Sequence, residues 1–228
     1  MTIGEKALSY VTEEAVVGLG TGRAATSFIQ ALGERVRGGL RVRGVATSRA
    51  SAELARELGI PLLELEDLFV PAGPTHPIDV TVDGADEVDP ALDLIKGYGG
   101  ALVREKIVAA ASRRLVILVG KEKLVPVLGS RGKLPVEVVP FGIGLCARWL
   151  RELGCPGEVR RDAQGAVSVT DNLNLILDCR IGPLARPAEF ERSVLAIPGV
   201  VGTGLFVGMA RTVLVQDGER VEVREREG

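Results

Sequence analysis

Residues 78–82 read Ile78-Asp79-Val80-Thr81-Val82, and Asp83 to Ile107 follow as DGADEVDPALDLIKGYGGALVREKI. The apolar run ends abruptly in an acidic turn that carries Asp83, Asp86 and Glu87. A short segment leads to Lys96 and the glycine-rich loop Gly97-Tyr98-Gly99-Gly100. Ala101–Ile107 then has the composition of a helix start. Strand, loop and helix in that order are the repeating unit of an open α/β sheet, whose ligands bind outside the carboxyl ends of the strands. Strand-end carboxylates, an amine before a glycine loop and a carboxylate in a first helical turn can converge on one pocket there.

On the N-terminal side the same alternation repeats. Residues 2–14 predict a helix from apolar Ile3, Ala7, Leu8 and Val11 at helical spacing. Val16–Leu19 is a short buried strand turned by Gly20-Thr21-Gly22, and Ala24–Val36 a helix ending at Gly38-Gly39. Val42–Ala46 is a strand, Arg49–Leu58 a helix stopped by Gly59, and Ile60–Leu65 another strand before a proline-rich loop to Pro77. Beyond residues 78–107, the helix over Ala101–Ser112 leads to the strongly apolar strand Leu115–Val119. Continuous apolar strands alternating with helices predict a parallel sheet covered on both faces.

After Lys121 the texture changes. Pro126, Gly129, Gly132 and Pro135 punctuate a linker, and Val136–Val139 is a strand. A helix spans Ile143–Leu153, with strands near Val159, at Val167–Thr170 and at Leu173–Ile181. Pro187–Ile197 is a helix with proline in its first turn, and Gly199–Val207 a glycine-bearing strand. This β-α-β-β-α-β order predicts a ferredoxin-like arrangement. Thr212–Gln216 and Val221–Arg224 flank Asp217-Gly218 as a hairpin that returns to the first sheet. The expected organisation is α/β. A Rossmann-like parallel sheet with helices on both faces takes residues 1–130 and 205–228, and a smaller ferredoxin-like α+β domain takes 131–204.

Composition narrows the function classes. Hydrophobic residues make up 46% of the 228, enough for sizeable cores, and charged residues 25%. Net charge is −2, with no basic stripe for nucleic acid to bind. The first residues lack a charged region followed by an apolar core, so no signal peptide is read, and no apolar run approaches a membrane span of about 20 residues. Cys146, Cys155 and Cys179 lack metal-type spacing, which points to reduced, buried thiols and a cytoplasmic protein. The one histidine, His76, sits in a proline-flanked loop without the partners that metal or triad chemistry needs. Asparagine occurs only at 172 and 174 and arginine far outnumbers lysine. A thermophilic source or genomic base composition accounts equally well for that bias.

Three motifs carry chemistry. Gly20-Thr21-Gly22-Arg23-Ala24-Ala25 matches G-x-G-x-x-A between a strand and a helix, where backbone N–H groups and the helix dipole favour an anion. A dinucleotide would want an acidic residue closing the next strand, but Thr47-Ser48-Arg49 stands there. A plain tight turn and a small phosphate ligand are the other readings. Asp83 and Asp86 can cap a turn or ligate a divalent cation. Lys96 nearby instead makes a self-neutralised site without an ion. Glu105 alone reads as a helix-surface residue, but one turn into a helix launched behind Lys96 a partly desolvated carboxylate suits a general base.

Together these motifs resemble ribose-5-phosphate isomerase of the A type over essentially the whole chain. The family pattern of GTGST, DGADE, KGGGxALxREK and a later lysine is met by Gly20–Ala24, Asp83-Gly84-Ala85-Asp86-Glu87, Lys96–Lys106 and Lys123. Leu134–Val138, Val169-Thr170-Asp171-Asn172 and Ile197-Pro198-Gly199-Val200-Val201 extend the likeness. The resemblance implies cofactor-free and metal-free interconversion of D-ribose 5-phosphate and D-ribulose 5-phosphate through an enediolate. It implies a cytoplasmic homodimer or homotetramer, with no nucleic-acid or membrane partner. On it, Glu105 is the base, Lys96 stabilises the developing oxyanion, and Asp83 and Asp86 orient hydroxyls, Asp83 also assisting ring opening. Thr21, Gly22, Arg23, Ala24, Asp83, Gly84, Ala85, Asp86, Lys96, Gly97, Tyr98, Gly99 and Lys123 bind substrate.

Two departures stand out. Arg23-Ala24 replaces the family's Ser-Thr, so backbone N–H groups and Thr21 are expected to carry more of that contact. Tyr98 replaces a glycine and can narrow the pocket or alter the loop. Two other readings remain. A sugar-phosphate sensor would want an attached DNA-binding module, for which residues 1–14 are too few. A CoA-transferase would need a catalytic glutamate and a CoA-sized cleft, which the 130–204 insertion does not suggest.

Overall fold

The structure is a computed structural model that describes residues 2–71 and 73–226. Met1, Ala72, Glu227 and Gly228, which fall in segments assigned from the sequence, lie outside the described residues. In chain order the elements begin α1 (Ile3–Ala7), β1 (Val16–Leu19), α2 (Arg23–Arg37), β2 (Arg43–Ala46), α3 (Arg49–Glu57) and β3 (Val80–Gly84). They continue with β4 (Glu87–Val88), β5 (Leu94–Ile95), α4 (Leu102–Ala110), β6 (Leu115–Gly120), β7 (Lys133–Val138) and α5 (Ile143–Glu152). The last are β8 (Gly157–Val159), β9 (Leu175–Arg180), α6 (Pro187–Leu195), β10 (Val200–Thr203), β11 (Leu205–Phe206), β12 (Thr212–Asp217) and β13 (Arg220–Glu225). They form two compact units: Met1–Ala85, Arg104–Lys123 and Met209–Gly228 make the first, Asp86–Val103 and Leu124–Gly208 the second.

The first unit is built on a six-stranded sheet in the order β13-β12-β6-β3-β1-β2, parallel throughout except for β13 at the edge. Strands alternate their side chains between two apolar faces, as the continuous apolar runs required. Val17, Leu19, Val80, Val82, Val116, Leu118 and Leu214 meet Ala7 of α1 and Phe28, Ile29 and Leu32 of α2 in one cluster. Val16, Val45 and Ile78 meet Val108 of α4 and Ala111 in another. The closing hairpin turns at Gly218, whose φ of +59° favours glycine.

Two expectations fail here. The first helix is short: Thr2 and Glu5 form a reciprocal capping box, α1 ends at Ala7, and a 3-10 turn over Leu8–Tyr10 gives way to extended Val11. Ile60–Leu65 is not a strand. Pro61 has no N–H to donate, and pairing with β2 shrinks to one bridge, Gly44 to Leu62.

The second unit holds a four-stranded sheet, β10-β7-β9-β8, antiparallel throughout. With α5 and α6 as crossovers this is the ferredoxin-like order. Leu134, Val136, Val138, Leu177 and Cys179 pack against Cys146 and Leu150 of α5 and Val194 of α6. On strand β7, fully buried Glu137 accepts from Thr170 (3.0 Å), Asn172 (3.1 Å) and Asn174 (2.9 Å), so both asparagines of the chain serve one carboxylate. Val167–Thr170, read as a strand, makes only isolated bridges at Val167 and Val169. A three-stranded ribbon, β11-β5-β4, was not foreseen, and the single strand expected over Gly199–Val207 divides at Gly204 into β10 and β11.

Candidate active site

In the first unit, strand order reverses between β1 and β3, where connections leave the sheet in opposite directions. In a doubly wound sheet the crevice at that switch point lies outside the carboxyl ends of the strands. The Gly20-Thr21-Gly22 turn follows β1 there, and Asp83 ends the buried part of β3 beside it. The main-chain N–H groups of Thr21 (3.1 Å) and Gly84 (2.7 Å) both donate to Oδ1 of Asp83, which is 1% exposed. Gly20 must be glycine, because a Cβ would collide with the Asp83 carboxylate and lie 2.6 Å from its Cα.

Beyond the turn, Gly22 (φ +98°) caps α2 without a side-chain bond, and Arg23 and Ala24 open the helix. A helix start leaves N–H groups without intrahelical acceptors, and the macrodipole adds positive potential. Ala24 packs near Gly84, 3.6 Å from where a Cβ there would stand. The Thr21 hydroxyl is drawn into a cluster that sequence reasoning missed. It donates to Ser48 (2.8 Å) and lies 2.8 Å from Thr47 and 3.3 Å from Ser51. Ser51 in turn donates to the Gly20 carbonyl (2.6 Å). The signal was present: β2 runs parallel beside β1, so the hydroxyls that follow it arrive at the same sheet edge.

Strand β6 also runs parallel, beside β3, and delivers Lys123 to that edge in a 3-10 turn, Lys121–Lys123. Helix α4 precedes β6, so its first turn returns to the carboxyl edge as well. Glu105 sits in that turn and is 4% exposed. Burial strips water from the carboxylate, and the helix N-terminus favours its charge.

The second unit carries the other predicted residues. Lys96 is 3% exposed, and its ammonium lies 5.4 Å from the centre of the Phe206 ring. Its main-chain N–H donates to the Gly204 carbonyl at 2.8 Å, which anchors it to the start of β11. Gly97 (φ +99°) and Gly100 (φ +91°) adopt backbone that only glycine takes readily, and Gly100 N–H closes the turn on Gly97 O at 3.1 Å. Asp86 Oδ2 accepts the Tyr98 N–H at 3.0 Å. Gly99 is exposed. Tyr98 is half-buried; burial, then the nearby charges of Asp86 and Glu87, push its phenol up to about 12. Glu87 is structural: its two oxygens accept the N–H groups of Gly129 (2.7 Å) and Arg131 (2.8 Å).

A strand-end carboxylate at a switch point, a glycine turn at a helix start and a buried glutamate in another first turn define an acid–base enzyme of the open α/β class. Residues 43–220 match the family model for ribose 5-phosphate isomerase A (phosphoriboisomerase A). Two proteins named ribose-5-phosphate isomerase A are close in sequence. That of Gloeobacter violaceus is 52% identical, covering 97% of this chain and 94% of its own, and that of Roseiflexus sp. strain RS-1 is 50% identical, covering 92% and 88%. Among solved structures, ribose 5-phosphate isomerase A of Methanocaldococcus jannaschii superposes with a TM-score of 0.90 at 36% identity, over 97% of this chain and 96% of that one. A D-ribose-5-phosphate isomerase in complex with phospho-erythronic acid has the same TM-score at 37% identity, over 98% and 96%. The chain belongs to the ribose 5-phosphate isomerase A family.

Proposed function

We infer that this chain interconverts D-ribose 5-phosphate and D-ribulose 5-phosphate, an aldose–ketose isomerisation of pentose phosphate metabolism. The observation that carries it is Glu105, a buried carboxylate held in the first turn of α4 by a chain of this family. In the open-chain aldose, Glu105 takes the proton from C2. The electron pair forms the C1–C2 double bond of an enediolate, with negative charge on oxygen. The O2 hydroxyl proton passes to O1, the electron pair of the C1–C2 double bond takes the proton back from Glu105 at C1, and the C2 carbonyl of the ketose forms. A carboxylate is a weak base for a carbon acid, so the enediolate needs fixed positive charge. Lys96 supplies it, the same division of labour that triosephosphate isomerase makes between a glutamate and an electrophile.

Asp83 and Asp86 orient sugar hydroxyls, and Asp83 assists opening of the ring. Gly22, Arg23 and Ala24 at the start of α2, with Lys123, take the phosphate. Thr21, Gly84, Ala85, Gly97, Tyr98 and Gly99 shape the remaining contacts. Phospho-erythronic acid, bound by a structural relative, is a phosphorylated sugar acid whose planar carboxylate has an enediolate's shape and charge. Its binding there supports the enediolate route here. A coupled assay of ribulose 5-phosphate formation, run with EDTA and without nucleotide, tests the reading. No turnover of ribose 5-phosphate overturns it.

The same reading places the protein in the cytoplasm as a homodimer or homotetramer. All three cysteines are buried thiols, and no helix among the described residues is long and apolar enough to cross a membrane. Phe141, Leu145 and Trp149, four residues apart along and just before α5, are exposed by 101%, 44% and 41%. An apolar stripe of that kind suits a subunit interface. Sedimentation of the full chain distinguishes monomer, dimer and tetramer.

A further inference from the structure

Arg160 directly follows edge strand β8, and its side chain is only 11% exposed. Asp178 on β9 takes both Nε (3.0 Å) and Nη2 (2.5 Å) of its guanidinium. That bidentate fork leaves Nη1, which donates to the carbonyls of Gly97 (2.9 Å) and Tyr98 (3.1 Å). Lys133 braces the same assembly. Its ammonium pairs with Asp178 Oδ2 at 3.0 Å and stands 4.9 Å from the centre of the Tyr98 ring. Burial alone would push the Asp178 carboxyl up, but Arg160 and Lys133 bring it below the ordinary carboxylate range, so the pair stays ionised.

Peptide planarity turns this clamp into a statement about direction. In a trans peptide the N–H points opposite to the C=O. With the Gly97 carbonyl on the guanidinium, the Tyr98 N–H points away from it, where Asp86 Oδ2 meets it at 3.0 Å. With the Tyr98 carbonyl on the same nitrogen, the Gly99 N–H is turned the same way. One guanidinium thus sets two successive peptide planes in the loop that follows Lys96. Gly97 and Gly100, at positive φ, are residues whose peptides would otherwise turn easily.

We propose that Arg160 is a positioning residue of the isomerase: locked to Asp178 and braced by Lys133, it fixes the Gly97–Tyr98–Gly99 peptides, and through them the presentation of Lys96 and Asp86. The proposal rests on the isomerase reading above and deepens it. Arg160 touches no reacting atom; it acts through the loop. Tyr98, which stands where the family has glycine, gives the clamp a ring to close on, so the departure is part of the device.

The test compares the full-length wild type with Arg160→Met, Arg160→Lys and Asp178→Asn. Each is measured for melting temperature, for kcat and KM with ribose 5-phosphate, and for amide hydrogen exchange over residues 96–101. Arg160→Met is expected to lose amide protection at Tyr98, bonded to Asp86, and at Gly100, bonded to the Gly97 carbonyl. Its kcat should fall by about 10²-fold, as a small misplacement of catalytic groups does, with a smaller change in KM. Arg160→Lys should not rescue it, because a compact ammonium has neither the planar fork that grips Asp178 nor the span that reaches both carbonyls from it. Millimolar guanidinium should restore part of the Arg160→Met rate. Should Arg160→Met not fold, Asp178→Asn keeps the volume, loosens the fork and is expected to show the same loop exchange in milder form. Wild-type kcat, or unchanged exchange over 96–101 in a folded variant, overturns the clamp. Hydrogen exchange needs no substrate, so an inactive wild type would sink the isomerase reading while the clamp was still judged.

Discussion

The main-chain N–H of Thr21 donates to Oδ1 of Asp83 at 3.1 Å and that of Gly20 to the Val82 carbonyl at 3.0 Å, so the glycine turn after β1 is tied to the acidic end of β3 across the switch point. Gly20 makes the approach possible, since a Cβ there would stand 2.6 Å from the Asp83 Cα. Gly20→Ala therefore has to part the two strand ends. Overpacking of that kind costs roughly 1–3 kcal/mol, so thermal unfolding should show a melting temperature lowered by several degrees. Asp83→Asn is the contrasting variant. Its side-chain oxygen can still accept both N–H groups, so stability should hold while kcat/KM falls. Equal melting temperatures for Gly20→Ala and wild type would show that the contact is looser than the geometry says.

Glu105→Gln keeps the shape of the side chain and, on the proposed mechanism, removes the base. Removing a general base typically costs about 10²–10⁴-fold, and the loss should fall on kcat with a modest change in KM. Steady-state kinetics of the folded variant decide it. Near-normal turnover would take Glu105 out of the mechanism.

The alkaline stability of the protein carries a signature of Tyr98. Its phenol titrates near 10 in the unfolded chain and near 12 when folded, because burial and the charges of Asp86 and Glu87 oppose the phenolate. A raised folded value means the stabilisation is complete below pH 10 and is lost as pH rises through the folded value. Across that window the unfolded chain releases a proton that the folded one keeps, which lowers stability by at most roughly 3 kcal/mol and by less once solvent screening of the half-exposed ring is counted. Urea unfolding of wild type and Tyr98→Phe should run parallel below pH 10 and diverge above it, the wild type falling faster. Parallel curves to pH 12 would mean that the phenol titrates normally.

What the sequence revealed follows from how local each feature is. The alternation from β1 to α3 was legible because continuous apolar strands and the stop at Gly59 are signals within one element. The motif residues Thr21, Asp83 and Glu105 were legible because strand ends and helix starts fall at one edge of a parallel sheet by topology alone. The ribbon β11-β5-β4 was not, since two-residue strands have no periodicity and Leu94 and Ile95 find Phe206 and Leu205 only through the tertiary fold. Ile60–Leu65 misled because its apolar run hides Pro61, which removes a ladder donor. Arg160 and Asp178 were missed for a further reason: Arg160 acts on backbone carbonyls some 60 residues away in sequence, Asp178 acts only through it, and backbone acceptors leave no mark in the side-chain pattern.

The two lysines separate the electrostatic half of the mechanism from substrate grip. Lys96 is buried beside the Phe206 ring, whereas Lys123 is half-buried in the turn after β6. If the Lys96 ammonium stabilises charge that exists only in the transition state, Lys96→Met lowers kcat and kcat/KM together. Loss of one such stabilising group is expected to cost about 10²–10³-fold, or roughly 3–4 kcal/mol. Lys96→Arg should not recover the rate, because a planar fork does not replace a compact point charge in an enclosed site. If Lys123 grips the phosphate of substrate and transition state equally, Lys123→Met should raise KM while kcat holds. Inorganic phosphate should accordingly inhibit wild type more strongly than Lys123→Met, with little such difference for Lys96→Met. The reverse pattern in both kinetics and inhibition would exchange the roles, placing Lys123 rather than Lys96 at the reacting carbons.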